Sequence, residues 1–318
     1  MTFCKFIAAF TAAALPVAAY ASCGAATCSV NSGWTAENAA TETGSAFELR
    51  YEYIDQSQPR SGSSRVGVGE IRRHHDEVST TNQSFIASYS KMFSSGWGIS
   101  LVAPLVSRDH QHVHNHGGAR ITDRWNFTEL GDARVIGRYQ RPLEGNFSAP
   151  ATAGVSFGMK LPTGSTTVAN GAGNVAERSL QPGTGTSDAI IGAYYHQKLP
   201  KQDASWFAQA QYQRALNSNA NYRPGAVLGM DVGLRKSLGE RVAGLLQLNV
   251  VTRQRDGGTA AEPADSGGRS VFLSPGLAYA LGEGLQVVGF YQQPLYQYVN
   301  GVQLTMRRAV VLGLSGRF

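Results

Sequence analysis

QLTMRRAVVLGLSGRF, from Gln303 to Phe318, is the stretch whose reading decides the fold. Leu304, Met306, Val310, Leu312, Leu314 and Phe318 fall on one parity, together with Arg308 and Gly316. Arg307, Ala309, Val311, Gly313, Ser315 and Arg317 fall on the other. One face is mostly apolar and the other small or charged, the period-two pattern of a strand whose faces meet two different solvents. Arg308 breaks the parity near the outer end, where a guanidinium can reach lipid phosphate.

At the other end, MTFCKFIAAFTAAALPVAAYASC has one Lys, an apolar run from Phe6 to Ala19 and an Ala19-Tyr20-Ala21 cleavage site. That is the layout of a secretory signal peptide, so 1–21 is expected to be removed and 22–44 to form a periplasmic segment. No later stretch reaches the ~18 apolar residues that a spanning helix needs. Yet 42% of the chain is hydrophobic. A membrane barrel hides apolar surface in this way, because only alternate residues of each strand meet lipid.

Between these ends the alternation recurs. Phe47, Leu49, Tyr51 and Tyr53 alternate with Glu48, Arg50 and Glu52; further strands are expected near 81–93, 97–106, 128–141, 149–161, 187–199, 205–216, 225–236, 242–254, 270–281, 285–295 and 303–318. Short turns alternate with long polar connections, which predicts an all-β, transmembrane antiparallel barrel of about 12 strands over 45–318. Phe93, Trp97, Trp206 and Phe318 all fall beside short turns or the C-terminus, at one interface, where rings with one wet edge are favoured. A secreted β-sandwich also alternates, but its strands are usually shorter, about 5 or 6 residues, and its apolar faces need a cover.

The inward parity gathers Glu48, Arg50, Glu52, Asp132, Arg134, Arg138, Lys160, Asp188, Asp231, Arg235, Arg253, Arg307 and Arg317. Such a lining is either a charge-paired interior bracing the strands or a selective aqueous path. The net charge of +6 does not point to nucleic acid, since the arginines are scattered along a secreted chain. Lipopolysaccharide phosphate is the fitting partner for those that face outward.

Histidine concentrates in two expected loops. RDHQHVHNHGG places His110, His112, His114 and His116 on one parity, and the preceding loop holds His74, His75, Asp76 and Glu77. Imidazoles at i and i+2 of an extended segment can reach one divalent ion such as Zn, Cu or Ni; the alternative is a hydrated polar loop. The mature cysteines, Cys23 and Cys28, fit a local disulfide in an oxidising compartment. A lipidated Cys23 and a soft-metal thiolate pair stay open as readings. An embedded hydrolase would need a Ser, a His and an orienting acid together. The one strand histidine, His196, points inward near a periplasmic turn, and no enzyme is expected.

LGDARVIGRYQ (Leu130 to Gln140), GMKLPTGS (Gly158 to Ser165) and LQPGTGTSDAIIGAYY (Leu180 to Tyr195) resemble an outer-membrane transporter family associated with meta-pathway phenol degradation. That family repeats a "GD" strand, a "K-x-PTG" strand end and a "PGTG…D…G" strand entry, and the resemblance covers roughly Leu130 to Phe318. It implies an outer-membrane channel or transporter for a small solute, with no catalytic residues to carry over. The terminal strand ending on Phe318 likewise resembles the signal read by the barrel-assembly machinery. A non-conducting structural or metal-binding surface protein is the contrasting expectation.

Overall fold

The computed structural model describes residues 30–31, 43–72, 75–116, 119–143 and 150–318. Its strands in chain order are β1 (Gly44–Gly62), β2 (Ser64–Arg65), β3 (His75–Met92), β4 (Trp97–His116), β5 (Ala119–Leu130), β6 (Arg134–Leu143), β7 (Ala151–Lys160), β8 (Asp188–Leu199), β9 (Ala204–Ala215), β10 (Val227–Ser237), β11 (Val242–Arg253), β12 (Gly268–Gly282) and β13 (Leu285–Arg317). Ring neighbours follow chain order, and β13 pairs back onto β1. The seam ends with Ser45 and Phe318 exchanging two backbone hydrogen bonds of 2.9 Å. Closure of this kind is what hydrocarbon demands, since no backbone N–H or C=O can be left facing lipid.

β13 contains 33 residues, on the order of 110 Å if extended, against an apolar band of about 25 Å. It therefore folds back on itself. Its first half pairs with β12 from Leu285 to Val299, and its second half pairs with β1 up to Arg317. Gly301 turns the chain at φ 58°, and Arg317 N donates to Gly284 O at 2.9 Å. Eleven of the described strands form the ring and β13 counts twice, so the wall has twelve staves.

The two-solvent reading of the strands holds in the burial pattern. On β10 the exposed Leu228, Met230, Val232 and Leu234 alternate with the buried Asp231 and the inward Arg235. Leu49, Phe85, Leu101, Phe157, Ile191, Leu248, Leu277 and Leu312 continue the exposed belt around the ring. Exposed apolar surface on that scale belongs in lipid. Phe93, Trp97 and Phe318 are exposed at its periplasmic edge, and Trp97 packs on Tyr139 with ring centroids 4.8 Å apart.

The expected connections differ from the observed ones on the outer side. Residues 56–79 and 108–127 were expected as polar loops, yet β1 runs on to Gly62, β3 starts at His75, and β4 and β5 form a hairpin through His116 and Ala119. The outward positions of β4 are apolar from Trp97 to Leu105 and then change to Ser107 and Asp109. The strands therefore rise past the lipid and keep pairing in water, where polarity no longer separates strand from loop. β5 and β6 are one interrupted stave: Leu130 pairs with Leu105 and Arg134 with Val102, with 131–133 between them.

Arg307 is a correction. It was expected in the lumen, but the register with β1 slips between Asp55 and Gln56, which pair with Arg308 and Met306, leaving Arg307 unpaired. That bulge turns Met306 inward onto Ile54, Phe272 and Ala309 and leaves Arg307 and Arg308 both exposed. One extra residue is enough to move a side chain to the opposite face.

Several wall glycines sit directly opposite an aromatic ring. Gly137 faces Phe157, Gly154 faces Tyr194, Gly233 faces Phe207, and Gly316 faces Phe47. A Cβ on Gly233 would lie 2.1 Å from the Phe207 ring, and one on Gly154 would lie 2.3 Å from that of Tyr194. Each ring thus lies across the neighbouring strand, a cross-strand pairing that pins register. Gly233→Val is expected to expel Phe207 from its lumen cluster and to cost about 1–3 kcal/mol by overpacking. Urea unfolding of the folded barrel in micelles measures it, and Gly229→Val, where a Cβ meets nothing within 4 Å, is the control.

Candidate functional site

The three sequence motifs converge on one buried ion cluster. β7 ends at Lys160, whose Nζ donates to Asp132 Oδ2 at 2.7 Å and to the Thr186 carbonyl at 2.8 Å, and lies 3.3 Å from Asp188 Oδ1. Asp132 stands in the break between β5 and β6, and Asp188 opens β8. The second oxygen of Asp132 accepts from Gly164 N at 3.1 Å, while its first partner oxygen also accepts from Thr184 N at 2.9 Å. Thr186 Oγ1 and Gln213 Nε2 donate to the two oxygens of Asp188 at 2.7 and 2.6 Å. Gly164 and Gly183 touch backbone to backbone, leaving 2.3 Å between a Cβ on Gly183 and Gly164 O. The "GD", "K-x-PTG" and "PGTG…D" residues are therefore one knot that ties both ends of the 161–187 connection.

From that knot the connection crosses the mouth of the barrel. Arg108 on β4 donates to Leu180 O, and Trp125 Nε1 on β5 donates to Asn174 O at 2.8 Å. Leu180 and Ala176 bury against Trp125, Phe127 and Leu304. This cap lies across the outer end of the lumen, against β4, β5 and β13.

At the inner end, the segment expected in the periplasm sends Val30 and Asn31 into the lumen. Val30 packs with Phe207, Leu245, Val288, Phe290 and Val311. Asn31 exchanges hydrogen bonds with Gln247, at 3.2 Å from its N–H and 2.6 Å to its carbonyl, and its Nδ2 donates to Gln209 Oε1 at 2.8 Å. Gln209 and Asn249 in turn donate to Asp231 at 2.6 and 2.7 Å. Cys23, Cys28 and residues 1–21, expected as a signal peptide, lie outside the described residues.

Beside Asn31 a cavity of about 250 Å³ remains, lined by Glu48, Arg50, Ser88, Ser100, Arg134 and Arg138 among others. Arg50 Nε is 3.0 Å from Glu52, and Arg138 donates to Ser100 at 3.3 Å. Arg235 and Arg317 line a separate opening at the periplasmic end, while Arg253 pairs with Asp256 at 2.9 Å near the outer rim. His196 is buried on the inward side of β8.

The histidines fall into order above the lipid. His110 and His112 are buried on the inward face of β4, under the Trp125 ring. His110 Nε2 is 3.3 Å from His112 Nδ1 and 3.5 Å from Glu77 Oε2, and Thr80 Oγ1 lies 2.8 Å from His110 Nδ1. Beyond them His112 Nε2 meets His114 Nε2 at 2.7 Å, and His114 Nε2 meets Asp123 at 2.9 Å. Burial pushes the His110 imidazole down to about 3, helped by the Arg108 charge, so it is neutral at physiological pH. His75 belongs to β3, paired with His114, and His116 ends β4; His74 lies outside the described residues. Asp123 and Trp125 were missed in the sequence because they join the cluster only through β4–β5 pairing, opposite His112 and His110.

Comparison with known proteins fits this geometry. The profile of the family described as "Putative MetA-pathway of phenol degradation" matches residues 63–304. No curated protein matches the sequence. Among solved structures, the COG4313 outer membrane channel from Pseudomonas putida F1 superposes with a TM-score of 0.61 at 10% identity, over 87% of this chain and 96% of that one. The KdgM porin and the CymD monoaromatic hydrocarbon channel each align at 10% identity with TM-scores of 0.43, over 86% and 91% of this chain and 99% and 94% of theirs.

Replacing Lys160 by Met would leave Asp132 and Asp188 facing each other without their cation. The expected loss is about 3–5 kcal/mol, the usual cost of breaking a buried pair on one side. The triple change that also makes Asp132→Asn and Asp188→Asn should recover part of it. Urea titration in micelles, with trypsin cleavage in 161–187 as a local readout, compares the two.

Proposed function

For a chain that belongs to this phenol-degradation family and folds as a bacterial outer-membrane barrel, we propose the role of a gated channel that favours small anionic solutes. The observation that carries the reading is the residual lumen, where Arg50, Arg134 and Arg138 line one cavity with Glu48. A net positive lining along a narrow water path sets ion preference. Phenolates and aromatic carboxylates are the solute class that joins this charge to the family's description.

The plug and cap give the gate. Val30 and Asn31 occupy the lumen from one end, and residues 174–180 lie across it at the other. The same occupancy favours the second reading, a non-conducting surface protein, and bilayer recordings separate the two. A variant lacking 22–31 is expected to give stable conductance steps larger than those of the intact mature chain, with a reversal potential on the anion side in a salt gradient. Arg134→Ala with Arg138→Ala should move that potential toward zero. Silence from both well-folded proteins would favour the structural reading.

The outer surface has its own partner chemistry. Arg60, Arg65, Arg307 and Arg308 line one cleft together with Tyr291, Leu295 and Tyr296. Arg60 and Arg65 are directly paired across strands, an arrangement that repels unless an anion intervenes; the acid at hand, Asp55, is 3.7 Å from Arg308. Cations beside exposed apolar side chains match a phosphorylated lipid headgroup of the outer leaflet. Lipopolysaccharide is expected to raise the melting temperature of the wild type and not of Arg307→Ala/Arg308→Ala, with dephosphorylated lipid inactive on both. An equal shift in wild type and variant would reject the cleft.

A further inference from the structure

We infer that Glu77, His110 and His112 form a buried binding site for one divalent transition-metal ion, between β3 and β4 and above the lipid. The inference stands on geometry and does not depend on whether the lumen conducts.

Three donor atoms converge. Glu77 Oε2 and His110 Nε2 are 3.5 Å apart, and His110 Nε2 and His112 Nδ1 are 3.3 Å apart. All three atoms lie within 4.8 Å of one another, and all three residues are buried. A tetrahedral zinc ion with bonds of about 2.0–2.1 Å holds neighbouring ligand atoms about 3.3–3.4 Å apart. Those separations are long for a hydrogen bond between neutral imidazoles and right for the edges of a coordination polyhedron.

The supporting contacts are those that ligating histidines use. A metal-bound imidazole normally has its other nitrogen fixed by a hydroxyl, carboxylate or carbonyl. Here Thr80 Oγ1 holds His110 Nδ1 at 2.8 Å. At His112 the second nitrogen is held at 2.7 Å by His114 Nε2. The distances to Thr80 and His114 are hydrogen-bond distances, shorter than those among the three donors. Trp125 covers both rings, so the site is shielded on its inner side.

The backbone is arranged for the site. Opposite His110 and His112, regular pairing from Thr80 would place Val78 on the inward face and turn Glu77 outward. The register shift between Glu77 and Ser79 leaves Val78 unpaired and sets Glu77 opposite His112 instead. A bulge that re-aims one side chain is the usual device at a site. Two imidazoles and a carboxylate with a fourth position open suit Zn²⁺, with Cu²⁺ and Ni²⁺ as borderline competitors. Because Arg108 and Trp125 of the same wall hold the cap, an ion here would stiffen the surface on which the cap docks.

The test uses the mature protein in detergent micelles, stripped with a chelator and titrated with Zn²⁺ against a chromophoric competitor. One ion per chain is expected. Glu77→Gln/His112→Asn should weaken binding at least 100-fold, and His114→Ala about 10–100-fold as the residue that orients His112. His74→Ala/His75→Ala/His116→Ala should stay within about 3-fold of wild type. Heat-modifiable migration establishes that each variant is folded, and Zn²⁺ should raise the melting temperature of the wild type but not of Glu77→Gln/His112→Asn. Equal affinity in wild type and Glu77→Gln/His112→Asn, or loss of binding in the His74, His75 and His116 variant alone, would overturn the site.

Discussion

The satisfaction of backbone hydrogen bonds in a medium that offers none governs this molecule. In hydrocarbon each unpaired N–H or C=O costs several kcal/mol, so the sheet has to close. β13 achieves this by serving twice, its two halves joined at Gly301 and its second half sealing onto β1 as far as Ser45 and Phe318. Once the ring is shut, every strand has one face toward lipid and one toward the interior. Ionisable side chains on the membrane segments then have two places to go, inward or above the apolar band. The Lys160 knot, the arginine-lined cavity and the histidine cluster occupy those places.

That constraint explains what was legible in the sequence. Strand positions within the lipid came through because two solvents impose a period of two, and Glu48, Arg50, Asp231 and Arg235 fall on the inward face as their parity says. Above the lipid the constraint lapses. There the His110 to His116 segment looked like a loop, although backbone pairing with β3 and β5 continues through it. The family motifs were visible as strings, but their meaning required distance: Asp132, Lys160 and Asp188 are remote in sequence and form one buried ion cluster.

Register slips carried what parity could not. At 78 a bulge brings Glu77 onto the histidine face, and at 307 another turns an arginine out of the barrel. Neither bulge has a Gly or Pro at its unpaired residue, so no composition cue marks it. Both lie where the strands leave the band, where the sheet no longer has to keep an unbroken apolar outer face. Chemistry at the outer rim is therefore set by a few unpaired residues rather than by the alternation that fixes the wall.

The positions of the ionic knot and of the cap contacts also limit how the outer end can open. Both ends of the 161–187 connection are fixed by Lys160, Asp132, Asp188 and the touching Gly164 and Gly183. Its middle is held by Arg108 to Ser179 and Leu180, Trp125 to Asn174, Arg178 to Asn219 with its guanidinium over the Tyr222 ring, and an apolar patch with Leu304. Breaking the knot would expose uncompensated charge in a dry setting, whereas releasing the middle trades neutral or singly charged hydrogen bonds for water. The lower-cost motion pivots on the knot and lifts the middle away from β4 and β5. The wall that carries the histidines is thus also the surface that sets how tightly the cap is held.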